Sequence, residues 1–136
     1  MAHSKFRAEV LTPEGEVFND EVELVSTKTA VGSIGILAHH EPVLAMLDPT
    51  ELRLYKTESE VVRFAQAEGY LQMADNRALI LVEEAVAPGD LDAGNLRERL
   101  QQADRELESA GDDTEKRRVA ERDKRRLEAF LSIAEG

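Results

Sequence analysis

Two adjacent histidines, His39 and His40, are the side chains best suited to metal binding or proton transfer. Neighbouring residues of a strand point to opposite faces, so the two rings cannot chelate one ion unless the chain turns between them. No cluster of Asp, Glu or His at metal-ligand spacing accompanies them, and the absence of Cys excludes thiolate ligands and a thiolate nucleophile. The histidines therefore favour neither a metal site nor a general base.

A glycine-containing stretch, Gly32-Ser33-Ile34-Gly35, has the composition of a phosphate-cradling loop. It lacks the lysine and the strand-to-helix context that such a loop requires, and we interpret it as a turn. Ser, His and Asp also occur, but without the arrangement of a nucleophile elbow. The sequence predicts a protein that is not an enzyme.

The third chemically distinctive group is cationic and lies between Lys116 and Arg126, where seven basic and two acidic residues give a local net charge of +5. The basic residues are Lys116, Arg117, Arg118, Arg122, Lys124, Arg125 and Arg126. A nucleic-acid-binding element would need base-reading or aromatic side chains and a basic domain behind it. This chain has a net charge of −11, so we expect no nucleic-acid partner.

Two interpretations of this basic segment remain open. Its side chains could be solvated and paired with acids across a helical hairpin, which is the usual role of a charge run. Five net positive charges exceed what local pairing neutralises, so we favour an acidic protein partner.

Two kinds of element position these residues. From residue 5 to about residue 84, apolar residues alternate with polar ones in short runs separated by turn signals such as Thr12-Pro13-Glu14-Gly15. Strands at roughly ten-residue spacing are typical of an antiparallel sandwich or barrel. We therefore predict an antiparallel β-sandwich over residues 1–87.

After Ala87-Pro88-Gly89 the apolar residues recur at the helical period of 3.6. We predict one helix from about Leu91 to Ser109, with Asp90 as its N-cap. A second helix follows Gly111, where Asp112 and Glu115 have capping-box spacing. The predicted apolar faces are Leu96, Leu100, Ala103 and Leu107 in the first helix, and Val119, Ala120, Leu127, Phe130, Leu131 and Ala134 in the second. The fold class is thus mainly β plus α, with residues 88–136 forming a C-terminal antiparallel two-helix hairpin.

The first helix has little apolar surface of its own to bury. Its three leucines, each contributing roughly 1.5 to 3 kcal/mol when covered, and one alanine oppose an ordering cost of about 1 to 2 kcal/mol per residue. The hairpin therefore needs a surface to lie on. Permanent docking on the sandwich and exchange between two surfaces, as in a switch, both remain open.

Charge and hydropathy also limit the location of the chain. Residues 1–90 carry 7 basic and 16 acidic residues, net −9, whereas residues 91–136 carry 10 and 12, net −2. The N-terminal segment Met1–Arg7 lacks the apolar region of a signal peptide, and no stretch approaches the ~18 apolar residues that span a bilayer. We expect a soluble protein without direct membrane insertion.

The order of these pieces resembles the epsilon subunit of F-type (rotary, proton-translocating) ATP synthases along essentially the whole chain. Val10–Phe18 is similar to the family's first hairpin, and Ala67–Met73 to its Gly-Gly-Phe-Leu-Glu-Val strand. Gly32–Pro42 resembles its Gly-x-Leu-Gly-Ile-Leu-Pro-Gly-His-x-Pro loop, the most specific of the four motifs. Asp90-Leu91-Asp92 opens the hairpin where the family has Asp-Ile-Asp or Asp-Leu-Asp.

The resemblance implies a non-catalytic central-stalk subunit. In the family the sandwich grips the gamma subunit and rests on the c-ring, so that proton-driven rotation reaches the catalytic head. The hairpin lies on the sandwich or extends along gamma, where its basic residues meet the catalytic beta and alpha subunits and block ATP hydrolysis. By resemblance, the seven basic residues above are the inhibitory contact. The c-ring-facing loop would contain Gly32, Ser33, Ile34, Gly35, Ile36, Leu37, His39, His40 and Pro42.

The resemblance also implies a location at the cytoplasmic face of the bacterial inner membrane, or alternatively at the stromal face of the thylakoid membrane. A different hypothesis is a free-standing soluble interaction module whose basic helix docks on an acidic protein partner. Such a module would be stable without a gamma subunit, whereas an epsilon subunit should co-purify with one. A small enzyme of the sandwich class is disfavoured because no catalytic constellation is present in the sequence.

The chain departs from the family's pattern at several positions. Ala38 and His39 stand where Pro and Gly are preferred, and Ser33 where an acid is frequent. Family members that bind ATP carry the motif Ile/Leu-Asp-x-x-Arg-Ala. This chain retains the aspartate of that motif as Asp92, but Asn95-Leu96 stands where the motif has Arg-Ala. Because the arginine that would hold the nucleotide is missing, we predict weak or no ATP binding and no other cofactor.

Overall fold

Alternating apolar and polar residues build ten short strands between Phe6 and Val86. In chain order they are β1 (Phe6–Thr12), β2 (Gly15–Val22), β3 (Leu24–Thr29), β4 (Gly32–Leu37), β5 (Val43–Leu47), β6 (Thr50–Tyr55), β7 (Val61–Gln66), β8 (Gly69–Ala74), β9 (Arg77–Val82) and β10 (Ala85–Val86). The structure, a computed structural model, describes residues 3–136. Met1 and Ala2, with which the segment Met1–Arg7 begins, lie outside the described residues.

The strands form a sandwich in the order β10-β7-β6-β3-β5-β8-β9-β1-β2, and β4 pairs with β3. A single residue pair, Thr29 with Leu47, joins β3 to β5, and the sheet divides there into two layers. Within residues 3–136 every strand pair is antiparallel except β1 with β9. The predicted antiparallel sandwich is confirmed, with this one parallel pair as an addition. The chain forms all the intervening strands before β9 lies beside β1, so no hairpin turn fixes the direction of that pair.

The inward-facing residues of both layers form one apolar core. Alternation places Val10 of β1 opposite Ile80 of β9, and Ile80 opposite Leu71 of β8. All three side chains are fully buried. Further members are Phe6, Ala8, Val22, Val25, Ile36, Leu47, Leu52, Leu54, Met73, Ala78 and Val82. This core belongs to the unit that ends at Ala87, and Pro88–Gly136 form a second unit.

One polar side chain, Gln66, is fully buried where the two layers meet. Its Nε2 donates to the carbonyl oxygen of Asp48 at 2.8 Å, and its Oε1 accepts from Thr27 Oγ1 at 2.5 Å. Every buried side-chain nitrogen and oxygen in residues 3–136 has such a partner. Because these bonds connect β7, β3 and the β5–β6 turn, they fix the relative placement of strands that share little ladder pairing.

The second unit is an antiparallel helical hairpin. After a 3-10 turn at Pro88–Asp90, helix α1 spans Ala93–Ser109 and helix α2 spans Thr114–Glu135. Buried side chains occupy one face of each helix, Leu96 and Ala103 in α1, and Ala120, Leu127 and Phe130 in α2. This confirms the predicted pattern. Among residues 3–136, neither helix combines the length and apolar character needed to cross a membrane.

Both predicted N-caps are wrong by one or two positions. Asp92 caps α1 by accepting from the Asn95 backbone at 3.1 Å, because Asp90 is used in the preceding 3-10 turn. Asp113, not Asp112, caps α2, accepting from the Lys116 backbone at 3.1 Å. Gly111 has a φ of +57°, which the turn between the helices requires and which glycine adopts without strain.

Candidate functional site

The segment predicted to face the c-ring begins with a strand. Gly32–Leu37 is β4, and it pairs with β3 along its whole length, from Thr29 opposite Gly32 to Leu24 opposite Leu37. The interpretation of Gly32–Gly35 as a turn is therefore wrong; the turn lies at Ala30 and Val31. The alternation of Ile34 and Ile36 with small residues explains the strand, since Ile36 is fully buried in the core.

The tip of the β3–β4 hairpin is apolar and strongly exposed. Val31 exposes 98% of its surface, and no residue from Thr29 to Ile34 is charged. A concavity of about 440 Å³ lies beside this tip and is also lined by Ala45 and Met46 of β5. The tip thus offers a partner an uncharged contact.

The two histidines follow β4 in a turn instead of a strand. His39 has a φ of +63°, a left-handed conformation in which the family's glycine would be unstrained. Its backbone N–H donates to Oδ1 of Asn76 at 2.7 Å, and His40 Nδ1 lies 2.7 Å from the Glu41 carbonyl oxygen. In residues 3–136 no three His, Asp or Glu side chains are grouped to hold a metal ion. The arrangement instead ties the turn to the β8–β9 hairpin.

We expect Asn76→Gly to loosen this turn. Asn76 has a φ of +59°, which glycine tolerates, so the substitution removes the hydrogen-bond acceptor without adding backbone strain. The loss should be about 1 kcal/mol, with faster hydrogen exchange at the His39 amide. Asn76→Asp keeps an acceptor and serves as the control. Equal exchange rates at His39 in the wild type and Asn76→Gly would show that the bond does not order the turn.

A row of apolar side chains crosses the outer face of the sheet layer that contains β5, β8, β9, β1 and β2. Met46 lies opposite Tyr70, Tyr70 opposite Leu81, and Leu81 opposite Leu11, on strands β5, β8, β9 and β1. Met46 is 67% exposed, Tyr70 50% and Leu81 44%; Leu44, two residues before Met46, is 71% exposed. We call Met46, Tyr70, Leu81 and Leu11 the apolar row. It forms a continuous exposed contact surface, the usual mark of an interaction site.

Sequence reasoning missed this surface, although a signal for it exists. A strand with one solvated face alternates apolar and polar residues. Val43–Leu47 and Ala78–Val82 are instead wholly apolar, so their outward-facing positions must also be apolar.

The apolar row lies in an open concavity of about 450 Å³. Its other apolar lining includes Pro13 and Leu47, and Gly69 contributes bare backbone. Two carboxylates, Glu68 and Glu83, also line it. The concavity thus combines an apolar floor with negative charge.

The seven basic residues predicted to form the inhibitory contact all lie in the first three and a half turns of α2. Their ion pairs include Arg117 with Glu121 at 3.8 Å, Arg118 with Glu115 at 2.6 Å, Arg122 with Asp123 at 3.3 Å, and Lys124 with Asp104 of α1 at 3.0 Å. Every one of these pairs is substantially exposed to solvent. Ion pairs in water of this kind contribute little to stability, so another carboxylate can readily replace the internal one.

The electrostatics of two pairs agree with their geometry. Hydrogen bonding from Arg118 lowers the pKa of Glu115, and hydrogen bonding to Asp104 raises the pKa of Lys124. Both changes favour the charged forms at neutral pH. A second pair between the helices, Arg97 with Glu135, lies at the open end of the hairpin. The folded hairpin therefore neutralises part of its own cationic segment.

The residue retained from the ATP motif has a structural role. The carboxylate of Asp92 accepts the hydrogen bond that caps α1, and Asn95 supplies the donor through its backbone. Leu96 is buried, 3% exposed. The weak or absent ATP binding expected from the sequence stays a prediction.

Comparison with known proteins identifies relatives along most of the sequence. A family model described as ATP synthase, Delta/Epsilon chain, beta-sandwich domain, matches residues 5–88. The ATP synthase epsilon chain of Sulfurihydrogenibium sp. is 32% identical over 129 residues, covering 95% of this chain and 96% of that protein. The ATP synthase epsilon chain of Rubrobacter xylanophilus is 36% identical over 120 residues, covering 87% and 82%.

A solved structure shares the fold. A chain in the cryo-EM structure of the Euglena gracilis mitochondrial ATP synthase, OSCP/F1/c-ring in rotational state 1, aligns with a TM-score of 0.79 at 20% identity, covering 94% of this chain and 80% of that chain. At this identity the likeness concerns the fold alone. The family model matches the sandwich, and the relatives cover the hairpin as well. This chain therefore belongs to the epsilon-chain family of ATP synthases.

Proposed function

We propose that this chain is a non-catalytic central-stalk subunit of an F-type ATP synthase, which couples proton-driven rotation of the c-ring to ATP synthesis and inhibits ATP hydrolysis through its C-terminal basic helix. The observation that supports it best is the relationship to epsilon chains across both units of the fold. Its expected location is the cytoplasmic face of the bacterial inner membrane. Its partners would be the gamma subunit, the c-ring and the catalytic beta and alpha subunits.

The sandwich supplies the coupling contacts in this proposal. A rotor subunit must hold a neighbour firmly enough to transmit torque, and an apolar surface of fixed shape suits that requirement. The apolar row is such a surface, carried by four hydrogen-bonded strands above a fully buried core. We assign the gamma subunit to the apolar row and the c-ring to the segment Gly32–Pro42, next to which the exposed Val31 lies in the β3–β4 turn.

The hairpin acts as the inhibitor of hydrolysis. Its basic residues are held on a regular helix, and the exposed internal pairs can be exchanged for carboxylates of a catalytic subunit. Breaking the pair between Lys124 and Asp104 would release one more cation when the two helices separate. Inhibition would then depend on which state of the hairpin is populated.

Co-purification tests the proposed function. A tagged full-length chain, expressed in place of the native copy, should retain gamma and c subunits through detergent extraction of the membranes and affinity purification. Equimolar gamma in the eluate is the expected result, identified by mass spectrometry. A free-standing interaction module would elute without gamma and c subunits, and that result would refute the proposal.

A further inference from the structure

We infer that a second face of the sandwich binds an acidic helical segment of a partner protein. This face is the outer side of the other sheet layer, which contains β3, β4, β6 and β7. Its cations are Lys28, Arg53 and Arg63, which we call the basic face. The inference does not depend on the proposed function, because that proposal assigns no partner to these three side chains.

Strand pairing brings the two arginines together. Arg63 of β7 lies directly opposite Arg53 of β6. The neighbours of Arg53 along β6, Leu52 and Leu54, are fully buried, so both arginines point outward on the same face. The Cβ atoms of opposed residues in such a pair lie about 5 Å apart. Two like charges therefore stand side by side on one surface.

The positive charge of this face is only partly neutralised. Arg53 pairs with Glu51 at 2.6 Å, and its side chain keeps 47% of its surface exposed. Among residues 3–136, Arg63 and Lys28 form no ion pair, although both are exposed. Opposed like charges destabilise a sheet. The basic face is therefore a local excess of positive charge within residues 1–90, whose net charge is −9.

The surface beside the arginines carries small residues. Ser26 of β3 lies opposite Arg53, and Gly35 of β4 lies opposite Ser26. Ser33 lies opposite Lys28. These residues leave room for a partner to approach closely, and the hydroxyl groups offer further hydrogen-bond donors. Neither concavity described above includes a residue of the basic face. Because small ligands require a concave site, a protein surface is the occupant that fits this face.

The spacing of the arginines specifies the partner. Side chains three or four residues apart on a helix have Cβ atoms about 5 to 6 Å apart, which matches two arginines on neighbouring strands. Each guanidinium can bind one carboxylate through two parallel hydrogen bonds. A helix with a pair of Glu or Asp residues at this spacing can therefore bind Arg53 and Arg63 together, and Lys28 adds long-range attraction.

The test uses an alanine-based helical peptide with pairs of glutamates four residues apart, and the same peptide with glutamines in their place is the control. Titration into the isotopically labelled full-length chain, followed by NMR, reports binding residue by residue and separates the basic face from the basic segment of α2. At low salt the glutamate peptide should shift the amide signals of Ser26, Arg53 and Arg63. These shifts should disappear at high salt, and the glutamine peptide should produce none.

A double variant assigns the binding to the arginines. Arg53→Gln with Arg63→Gln should weaken peptide binding at this face about tenfold, since charge-assisted hydrogen bonds are lost. Arg77→Gln, which replaces an exposed arginine on β9, is the matched control and should bind as the wild type does. Thermal unfolding of each variant verifies that the sandwich remains folded.

Two outcomes of the peptide titration would overturn the inference: shifts confined to residues 116–126, or equal shifts at the basic face with the glutamate and glutamine peptides. Vesicles containing phosphatidylglycerol test a different anion. Sedimentation of the chain with these vesicles through Arg53 and Arg63, without peptide binding, would make lipid the occupant and would also overturn the inference. None of these outcomes changes the co-purification result that tests the proposed function.

Discussion

Removal of residues 88–136 should raise ATP hydrolysis by the assembled synthase about tenfold, which corresponds to the loss of a net inhibitory contact of ~1.4 kcal/mol. The physical reason is that the basic segment of α2 leaves with the hairpin, while the sandwich keeps its own core. ATP-driven proton pumping, measured in membrane vesicles, should remain coupled because the apolar row and β4 are intact. The measurement is the steady-state hydrolysis rate of the purified complex.

A narrower variant separates the charges from the helix that carries them. Arg122→Ala, Arg125→Ala and Arg126→Ala together should reproduce most of the increase, since alanine preserves the helix and removes three cations. Arg97→Ala and Arg99→Ala together, on α1, are the control and should leave hydrolysis low. An unchanged hydrolysis rate after complete removal of 88–136 would show that the hairpin is not inhibitory in this protein.

Gly69→Ala should destabilise the sandwich by about 3 to 5 kcal/mol. The added Cβ would lie 2.0 Å from the Leu81 carbonyl oxygen and 2.7 Å from the Val82 Cα. Backbone atoms of a paired strand cannot move aside by changing rotamer, so β8 and β9 would have to separate. Urea denaturation of the full-length chain, followed by circular dichroism, measures the free energy of unfolding.

Gly35→Ala, on strand β4 of the same sandwich, is the matched control. The nearest atom to its added Cβ is Leu24 Cδ1 at 3.6 Å, an ordinary van der Waals contact. Its free energy of unfolding should stay within about 1 kcal/mol of the wild type. If Gly69→Ala proved as stable as Gly35→Ala, the close approach of β8 and β9 at this point would be contradicted.

Local patterning was sufficient to predict the fold class. Period-two runs before Pro88 and period-3.6 runs after it differ so clearly that sandwich and hairpin follow directly. The buried faces of α1 and α2 also follow, because helical spacing alone places Leu96 with Ala103 and Leu127 with Phe130.

Features that depend on distant parts of the chain could not be predicted. The parallel pairing of β1 with β9 joins residues about seventy positions apart. The stretch Gly32–Gly35 is interpreted from the sequence as a turn because its two glycines and serine have low strand propensity. Pairing with β3 overrides that preference. The N-caps are Asp92 and Asp113, although the sequence predicts Asp90 and Asp112. Nearby aspartates have equivalent side chains, and only the geometry of the preceding turn determines which of them caps the helix.

The candidate site was only partly predictable for the same reason. The basic segment was visible as composition, but its pairing with Asp104 required the register of the two helices. The apolar row joins four strands whose order in the sheet is not their order in the sequence. His39 stands where the family has glycine and adopts a left-handed conformation. Its backbone N–H donates to Asn76 of the β8–β9 hairpin, a contact between residues far apart in the sequence.

The most direct test of the rotor assignment is cross-linking in the assembled synthase. Because the chain contains no cysteine, Ser33→Cys on β4 and Glu128→Cys on α2 each provide one attachment point for a photoreactive reagent. Mass spectrometry then identifies the attached subunit. We predict the c subunit as the partner of position 33 and a catalytic subunit or gamma as the partner of position 128; products with no synthase subunit at either position would contradict the assignment.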